Sequence, residues 1–433
     1  MKTKYLILGG GLAGLSASWH LRQEDYLLVE KEAEIGGLCR SYQLNDFTFD
    51  YTGHLLHFRQ PEIREWIVSL MHNQLVSHDR KAYIFSNRVY TPYPFQANLC
   101  GLPREVIKEC LTEFIYAWQR KSTEPEVRSA HFEEWILRTL GQGIAKHFMI
   151  PFNEKLWKRS LKEMTADWVS WLVPQPRLEE VINGTLGISN RPMGYNPGFL
   201  YPLKGGIQSL GNRIASELDH LLLNEGVEEI RTSTKEVLLK SGKSVEYQYL
   251  VSSLPLNVCL SKCVDLPKSL REKARRLEYI SVAVVNLGID RPNISDKHWI
   301  YFPEARFPFY RAGIPSNLSP HMAPDGTSSL SVEVSVHPSQ KVNTAELLGQ
   351  VKEGLYVSGL ISKTDKVLVE DIRTISHAYV IYNHDYSTIV PELKNSLKSH
   401  DIYSIGRYGS WEHTSMEDAL SQGKSAAREI SRS

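Results

Sequence analysis

The strongest chemical signal in the chain is the run Gly9-Gly10-Gly11-Leu12-Ala13-Gly14, followed by a carboxylate at Glu30. In such a run the first glycine permits a tight turn, Gly11 lets backbone N–H groups approach a pyrophosphate, and Gly14 lets a helix pack closely on a strand. Glu30 stands 21 positions after Gly9, where such units place the acid that accepts hydrogen bonds from a ribose diol. Together these residues predict a dinucleotide site. Further on, Gly36-Gly37 suggests backbone packed against ligand, Arg40 has the reach for a phosphate, and His54 beside Gly53 is a candidate catalytic histidine. Read alone, the glycines and Arg40 are equally well a turn and a solvated arginine, and a lone histidine such as His54 is more often a satisfied structural residue than a catalyst. No Ser-His-Asp or Cys-His arrangement stands out. The five cysteines are odd in number and contain no C-x-x-C pair, which argues against a zinc site or a disulfide framework, and no metal is expected.

The elements that must position these groups follow from pattern. Tyr5-Leu6-Ile7-Leu8 is an apolar run too short for a helix and reads as a buried parallel strand. A helix over Leu12 to Leu21 and a strand over Tyr26 to Val29 complete the unit. Helical spacing recurs from Pro61 to Leu75, and Ala82 to Tyr90 alternates as a hairpin around Ser86-Asn87. From Pro103 to about Trp171 the helical period returns, with Phe114, Trp118, Trp135, Leu137 and Leu140 as expected buried positions. A helix over Ile207 to Leu218 and strands at 221–223, 227–230, 236–239 and 249–253 bring the chain back to the nucleotide-binding sheet. Ser281 to Ile289, Trp299 to Phe302 and Ser329 to Val336 have the composition of a second, more antiparallel sheet. A helix over Thr344 to Ser358, a strand over Ile402 to Ile405 and a closing helix from Met416 to Ile430 are also expected. The predicted fold is α/β: a Rossmann-like dinucleotide-binding domain with a mixed parallel sheet (1–80, 199–255 and 390–433), a helical insertion (91–198) and an antiparallel-sheet substrate domain (256–389).

Composition narrows the partners. The chain has 433 residues, 42% hydrophobic and 23% charged, and fifty basic against forty-nine acidic side chains give a formal charge of +1. No global field would draw in nucleic acid or an anionic membrane, so any anion must be caught locally. No apolar stretch of about 18 residues is present, no membrane span is expected, and a reducing cytoplasm is the expected location. Homo-oligomers are compatible with this composition.

The residues resemble a known family. Gly9 to Gly14, Glu30, Gly36-Gly37, Asp50 to His54, Gly406-Arg407 and Met416 to Ala419 resemble the FAD-binding signature of the amine oxidase and protoporphyrinogen oxidase superfamily. The resemblance implies FAD, held by Gly9, Gly11, Leu12, Ala13, Gly14, Glu30 and Lys31. It extends that set to Gly37, Leu38, Arg40, Gly53, His54 and Val227, and at the far end of the chain to Gly406, Arg407 and Met416. Within the superfamily the middle of the chain resembles the UDP-galactopyranose mutases. Tyr93-Pro94-Phe95-Gln96 is similar to a substrate-side loop of those enzymes, and Asn153 with Trp157 to their Asn and Trp motif. Tyr301 and Arg311, ten positions apart, are similar to the strand pair that brings a tyrosine and an arginine to the diphosphate. Asn196 and Tyr379 match a further substrate asparagine and tyrosine.

What the resemblance implies is an isomerase that interconverts the pyranose and furanose forms of a nucleotide-activated sugar. Reduced FAD would attack the anomeric carbon through N5, with NAD(P)H as a candidate reductant. Arg311 would stabilise the leaving diphosphate, Tyr301 and Tyr379 would donate to it, and His54 would tune the flavin. Tyr93, Phe95, Gln96, Asn153, Trp157 and Asn196 would orient base and sugar. Three positions depart from the family: Leu172 stands for an arginine, His57 for a phenylalanine near the base, and His413 for a diphosphate tyrosine. A lost arginine is a lost bidentate charged contact, worth a few kcal/mol in a desolvated site, which a protonated His413 would partly restore. An alternative keeps the flavin but makes the reaction a net oxidation of an amine or a porphyrinogen-like ring. A third reading is a binding protein without turnover, which a degraded glycine turn would favour; the turn is intact.

Overall fold

The computed structural model describes residues 1–123, 128–169, 172–188, 193–194 and 197–432. Asn196, expected to meet substrate, lies outside the described residues. Two seven-stranded sheets both contribute to the wall of the site. In the first, Lys2–Leu8 is central, pairing in parallel with Ser244–Ser252 on one side and Tyr26–Val29 on the other. Ile402–Ser404 pairs with Ser244–Ser252, and Leu221–Leu222 with Tyr26–Val29, both in parallel. Tyr5 to Leu8 are fully buried, as a strand covered on both faces requires.

The first helix, Leu12–His20, follows the glycine turn directly. A Cβ on Gly14 would lie 1.9 Å from the Gly9 carbonyl oxygen, so only glycine lets the helix start this close to its strand. The closing helix Met416–Ser431 packs on that helix just as tightly: a Cβ on Gly423 would come 2.3 Å from the Ala13 oxygen, and the Ser16 hydroxyl donates to the Leu420 carbonyl at 2.6 Å.

The second sheet has the order Val367–Val380, Tyr279–Ile289, Ser328–Val336, Arg311–Gly313, Trp299–Tyr301, Ala82–Ser86, Val89–Pro92. It is antiparallel except where Trp299–Tyr301 pairs with Ala82–Ser86. Arg311 and Tyr301 are direct cross-strand partners, which is why residues ten apart in sequence reach one site. Helix Ile150–Trp157 lines the cavity, and Arg104–Thr123 and Phe132–Ile144 precede it in the chain.

Several expectations need correction. The helix from Pro61 ends at Leu70, and Leu75–Asp79 is a strand paired with Gly198–Pro202. The hairpin turn falls on Asn87-Arg88, both at positive φ, one residue later than Ser86-Asn87. The helix after residue 206 is Gln208–Ala215. Trp118 is exposed, because Val106, Cys110, Phe114 and Ala117 define the inward stripe of its helix and Trp118 lies off it. The long strand Val367–Val380 and the helix Tyr386–Lys398, which carries Pro391, were not anticipated.

Candidate active site

One cavity of about 990 Å³ runs from the glycine turn to the second sheet. At the first end its wall is mostly backbone. Gly9, Gly11, Leu12, Ala13, Gly37 and Leu38 line it, and Gly36 N donates to the Gly10 carbonyl at 2.7 Å, folding the second glycine pair beside the first. Gly9, Gly36 and Gly37 all have positive φ, a conformation that suits glycine. Glu30 is buried and oriented from both sides: Oε2 accepts from Gly10 N at 2.6 Å and Oε1 from Glu32 N at 3.0 Å. Lys31 and Val227 continue this wall. Arg40 donates to the Gly37 carbonyl at 2.9 Å, and its guanidinium lies 4.6 Å from the centroid of Tyr51.

Between the two ends lie Asp50, Gly53 and His54. Asp50 accepts from the Ser41 hydroxyl at 2.6 Å, the Tyr201 hydroxyl at 2.7 Å and Ile207 N at 3.2 Å. Burial nevertheless pushes its carboxyl up to about 6. Burial, with Arg407 nearby, lowers His54 to about 4, so the imidazole is neutral near neutrality. Its Nδ1 is 3.1 Å from the Thr52 carbonyl; a proton donated there leaves Nε2 as an acceptor.

The second end is made of side chains from many separate stretches. The Arg311 guanidinium lines the cavity 3.8 Å from where a Cβ on Gly53 would be, and Nη2 donates to Glu333 Oε1 at 2.5 Å. Burial opposes the charge of Arg311, but Glu333 and three nearby tyrosines hold it firmly protonated. The Tyr310 hydroxyl donates to the other oxygen of Glu333 and lies 3.4 Å from the Tyr379 hydroxyl. Burial first, then Glu333, raises the Tyr310 pKa far above its usual value, so the phenol stays protonated. Facing this network, Trp157 donates through Nε1 to Asn153 Oδ1 at 3.2 Å, and Asn153 Nδ2 donates to the Met149 carbonyl at 2.7 Å. Tyr93 lines the cavity 5.5 Å from the Tyr301 ring. Gln96 is fully buried; its Nε2 donates to the Pro174 carbonyl at 2.6 Å, while Oε1 has no partner among the described residues.

His413 sits among Trp157, Trp168, Tyr379 and Tyr382, with ring centroids 5.3 to 5.9 Å away. Burial and then Arg407 hold its pKa well below the usual histidine range, and Arg407 Nη2 is 3.1 Å from Nδ1. A protonated His413 would have restored part of the missing charge. The imidazole is instead neutral and restores no charge; with Nδ1 accepting from Arg407, Nε2–H is a donor. Leu172 and His57 also line the cavity, so all three departures face the same space.

Two candidates from the sequence stand apart from the cavity wall. Gly14 lies behind the turn, where its role is packing. Phe95 does not line the cavity; it is fully buried and stacks at 5.1 Å on Phe148, which does. Asn196, as noted, is not described. The remaining candidates all line it, Gly406, Arg407 and Met416 among them. Sequence reading missed Glu333 and Tyr310. The signal available for Glu333 was a lone carboxylate within the nine-residue strand SSLSVEVSV, where it is buried.

A dinucleotide fits the first end on its chemistry. Glycine faces leave room for close backbone approach, Glu30 keeps lone pairs free for a diol, and the buried Arg407 Nε and Thr414 hydroxyl, both on cavity-lining residues, have no partner among the described residues. The family model for flavin containing amine oxidoreductase matches residues 12–431. The chain belongs to that family. Membership implies an FAD cofactor. Among solved structures, reduced UDP-galactopyranose mutase superposes with a TM-score of 0.92 at 28% identity, covering 99% of this chain and 96% of that one. A protein described as a protoporphyrinogen oxidase from Exiguobacterium sp. 255-15 gives 0.75 at 16% identity, covering 99% and 98%. A putrescine oxidase redesigned in its cofactor binding gives 0.70 at 13%, covering all of both chains. The last two establish the fold alone. An uncharacterized protein from Methanothermococcus thermolithotrophicus is 38% identical over 55 residues, 12% of this chain, and the match spans about half of that protein (53%). No helix among the described residues is long and apolar enough to cross a membrane.

Proposed function

We infer that this flavoprotein is a mutase that interconverts the ring forms of a nucleotide-activated sugar. The observation that carries the reading is the convergence of Arg311, Tyr301 and Tyr379 on one end of the cavity whose other end suits FAD. When bound and reduced, the flavin would supply the nucleophile for the anomeric carbon. Arg311 would hold the departing diphosphate through its N–H groups not committed to Glu333, and Tyr301 and Tyr379 would add neutral donors. His413 would contribute a further N–H. The unpartnered Gln96 oxygen, with the Tyr93 and Phe152 rings on the same wall, suits the N–H edge of a nucleobase. Trp157, Trp168 and Leu172 would exclude water from the sugar. The likeness to UDP-galactopyranose mutase supports this assignment. NAD(P)H as reductant, a homo-oligomer and the three-part division of the chain belong to the same proposal.

One observation favours a net oxidation instead: Glu333 offsets the charge of Arg311, and Leu172 adds none, so the site is less cationic than a diphosphate would prefer. A single assay separates the two. Protein reduced with dithionite is given a UDP-hexofuranose, and the mutase reading expects pyranose product with no net consumption of reductant. Hydrogen peroxide accumulating with an amine, and no sugar conversion, would overturn it.

A further inference from the structure

The nine-residue excursion between Tyr301 and Arg311 is held against the helix Ile150–Trp157 by one side chain that the reaction itself does not use. Lys155 lies on the helix Ile150–Trp157, between Asn153 and Trp157, both of which line the cavity. Its Nζ points away from that space and donates to three backbone carbonyls of the excursion: Phe302 at 2.7 Å, Glu304 at 2.5 Å and Phe309 at 3.3 Å. An ammonium has three N–H donors, so all of its hydrogen-bonding capacity is spent on this one turn. On its other face the turn is fixed by Phe302, Phe307 and Phe309, each at most 1% exposed and in mutual ring contact.

We propose that Lys155 is a positioning residue that sets the spacing between the two walls of the substrate end, one carrying Asn153 and Trp157 and the other carrying Tyr301 and Arg311. A ligand that bridges these walls needs their separation fixed before it arrives, since disorder there must be removed on binding. The turn begins immediately after Tyr301 and ends immediately before Tyr310 and Arg311, so its anchor sets where both donors stand. Phe152, from the same helix, touches the rings of Tyr301 at 5.4 Å and Tyr310 at 6.4 Å, which defines the apolar side of the contact that Lys155 closes with polar bonds. Burial, with Lys158 adding to it and Glu304 opposing, brings the Lys155 pKa down to about 7. Either protonation state of the amine still donates to at least two of the carbonyls.

The proposal rests on the nucleotide-sugar reading for its choice of ligand, and the test keeps the two apart. Wild type, Lys155→Met and Lys155→Arg are compared as FAD-loaded proteins for flavin content, thermal midpoint, UDP affinity by calorimetry, and hydrogen exchange of the non-proline amides 302–310 without nucleotide. Lys155→Met preserves side-chain length and removes the donors. It is expected to keep its flavin and its fold with a midpoint lowered by about a few degrees as three carbonyls lose their donor, to bind UDP about ten-fold more weakly, and to exchange the 302–310 amides about ten-fold faster. Lys155→Arg, which restores charged donors, is expected to return UDP affinity to within about three-fold of wild type. Unchanged exchange together with unchanged affinity in Lys155→Met overturns the proposal. So does loss of flavin or of the fold in that variant, since the residue would then serve general stability. If wild type itself binds no UDP, the nucleotide-sugar reading fails, and the exchange measurement alone decides whether Lys155 anchors the turn.

Discussion

The two ends of the cavity are built on different principles. The cofactor end is backbone: glycines, a helix start and one carboxylate, Glu30, held by two amide N–H groups. The substrate end is side chain, with Tyr93, Asn153, Tyr301, Arg311, Glu333, Tyr379 and His413 arriving from elements scattered over more than 300 residues. Backbone sites tolerate almost no added atoms, whereas side-chain sites can be retuned one residue at a time. Within one cavity, then, the first end constrains what the fold can hold and the second decides what it acts on.

The sharpest way to break this contrast is at Gly14. Gly14→Ala would drive a methyl group to within 1.9 Å of the Gly9 oxygen, and the expected outcome is loss of bound flavin, read from the absorbance spectrum of the purified protein. Retention of the full flavin content would mean that the turn has slack. Next in size is Arg311→Ala. It is expected to weaken UDP binding by about ten-fold or more, because truncating one partner of a desolvated charge pair costs about 2–5 kcal/mol, while flavin content stays the same. It also leaves Glu333 buried without its cation, which should lower the thermal midpoint. Adding Glu333→Gln to Arg311→Ala should recover the midpoint and not the affinity, which separates folding from binding in one pair of proteins. Glu333→Gln alone frees the guanidinium from its counter-charge, and a few-fold tighter UDP affinity is expected by calorimetry.

How far the sequence foretold each end follows from the same difference. The glycine run, its helix and Glu30 were legible because their demands are local: a turn, a close approach and an acid at a fixed distance. Glu333 was not, because a single acid in a strand reads as facing solvent, and only the cross-strand register that sets it directly opposite Arg311 on the neighbouring strand gives it a counter-charge. The strand Val367–Val380 was hidden by Asp371 and Arg373, which look like loop residues. In the fold they are paired, with Arg373 also stacked on Tyr42. Pro391 disguised the helix Tyr386–Lys398 as a break. Phe95 is expected at the ligand because Tyr93-Pro94-Phe95-Gln96 resembles a substrate-side loop, yet it is fully buried and stacks behind the wall on Phe148.

A pH response is shared by both ends. Burial lowers His54, His57, His298 and His377 to about 4 each, and all four line the cavity. A folded-state pKa below the unfolded value of about 6.5 means that the unfolded chain takes up protons the fold refuses. The stability contributed by these groups is therefore fully present above about pH 6.5 and is lost as pH falls toward 4. The thermal midpoint should decline over that window, and His54→Phe should flatten the decline. A midpoint independent of pH between 7 and 4 would show that these rings are hydrated.

The contact between the first and the closing helix has a temporal consequence. Residues 9–14 leave the ribosome nearly four hundred residues before residues 406–423, yet both form the same cofactor wall. At synthesis rates of about 5 to 20 residues per second, that interval lasts roughly 20 to 80 s. Through that time the newborn glycine turn lacks the stretch of wall that Gly406, Arg407 and Met416 supply, so the cofactor site is completed only at the end of synthesis.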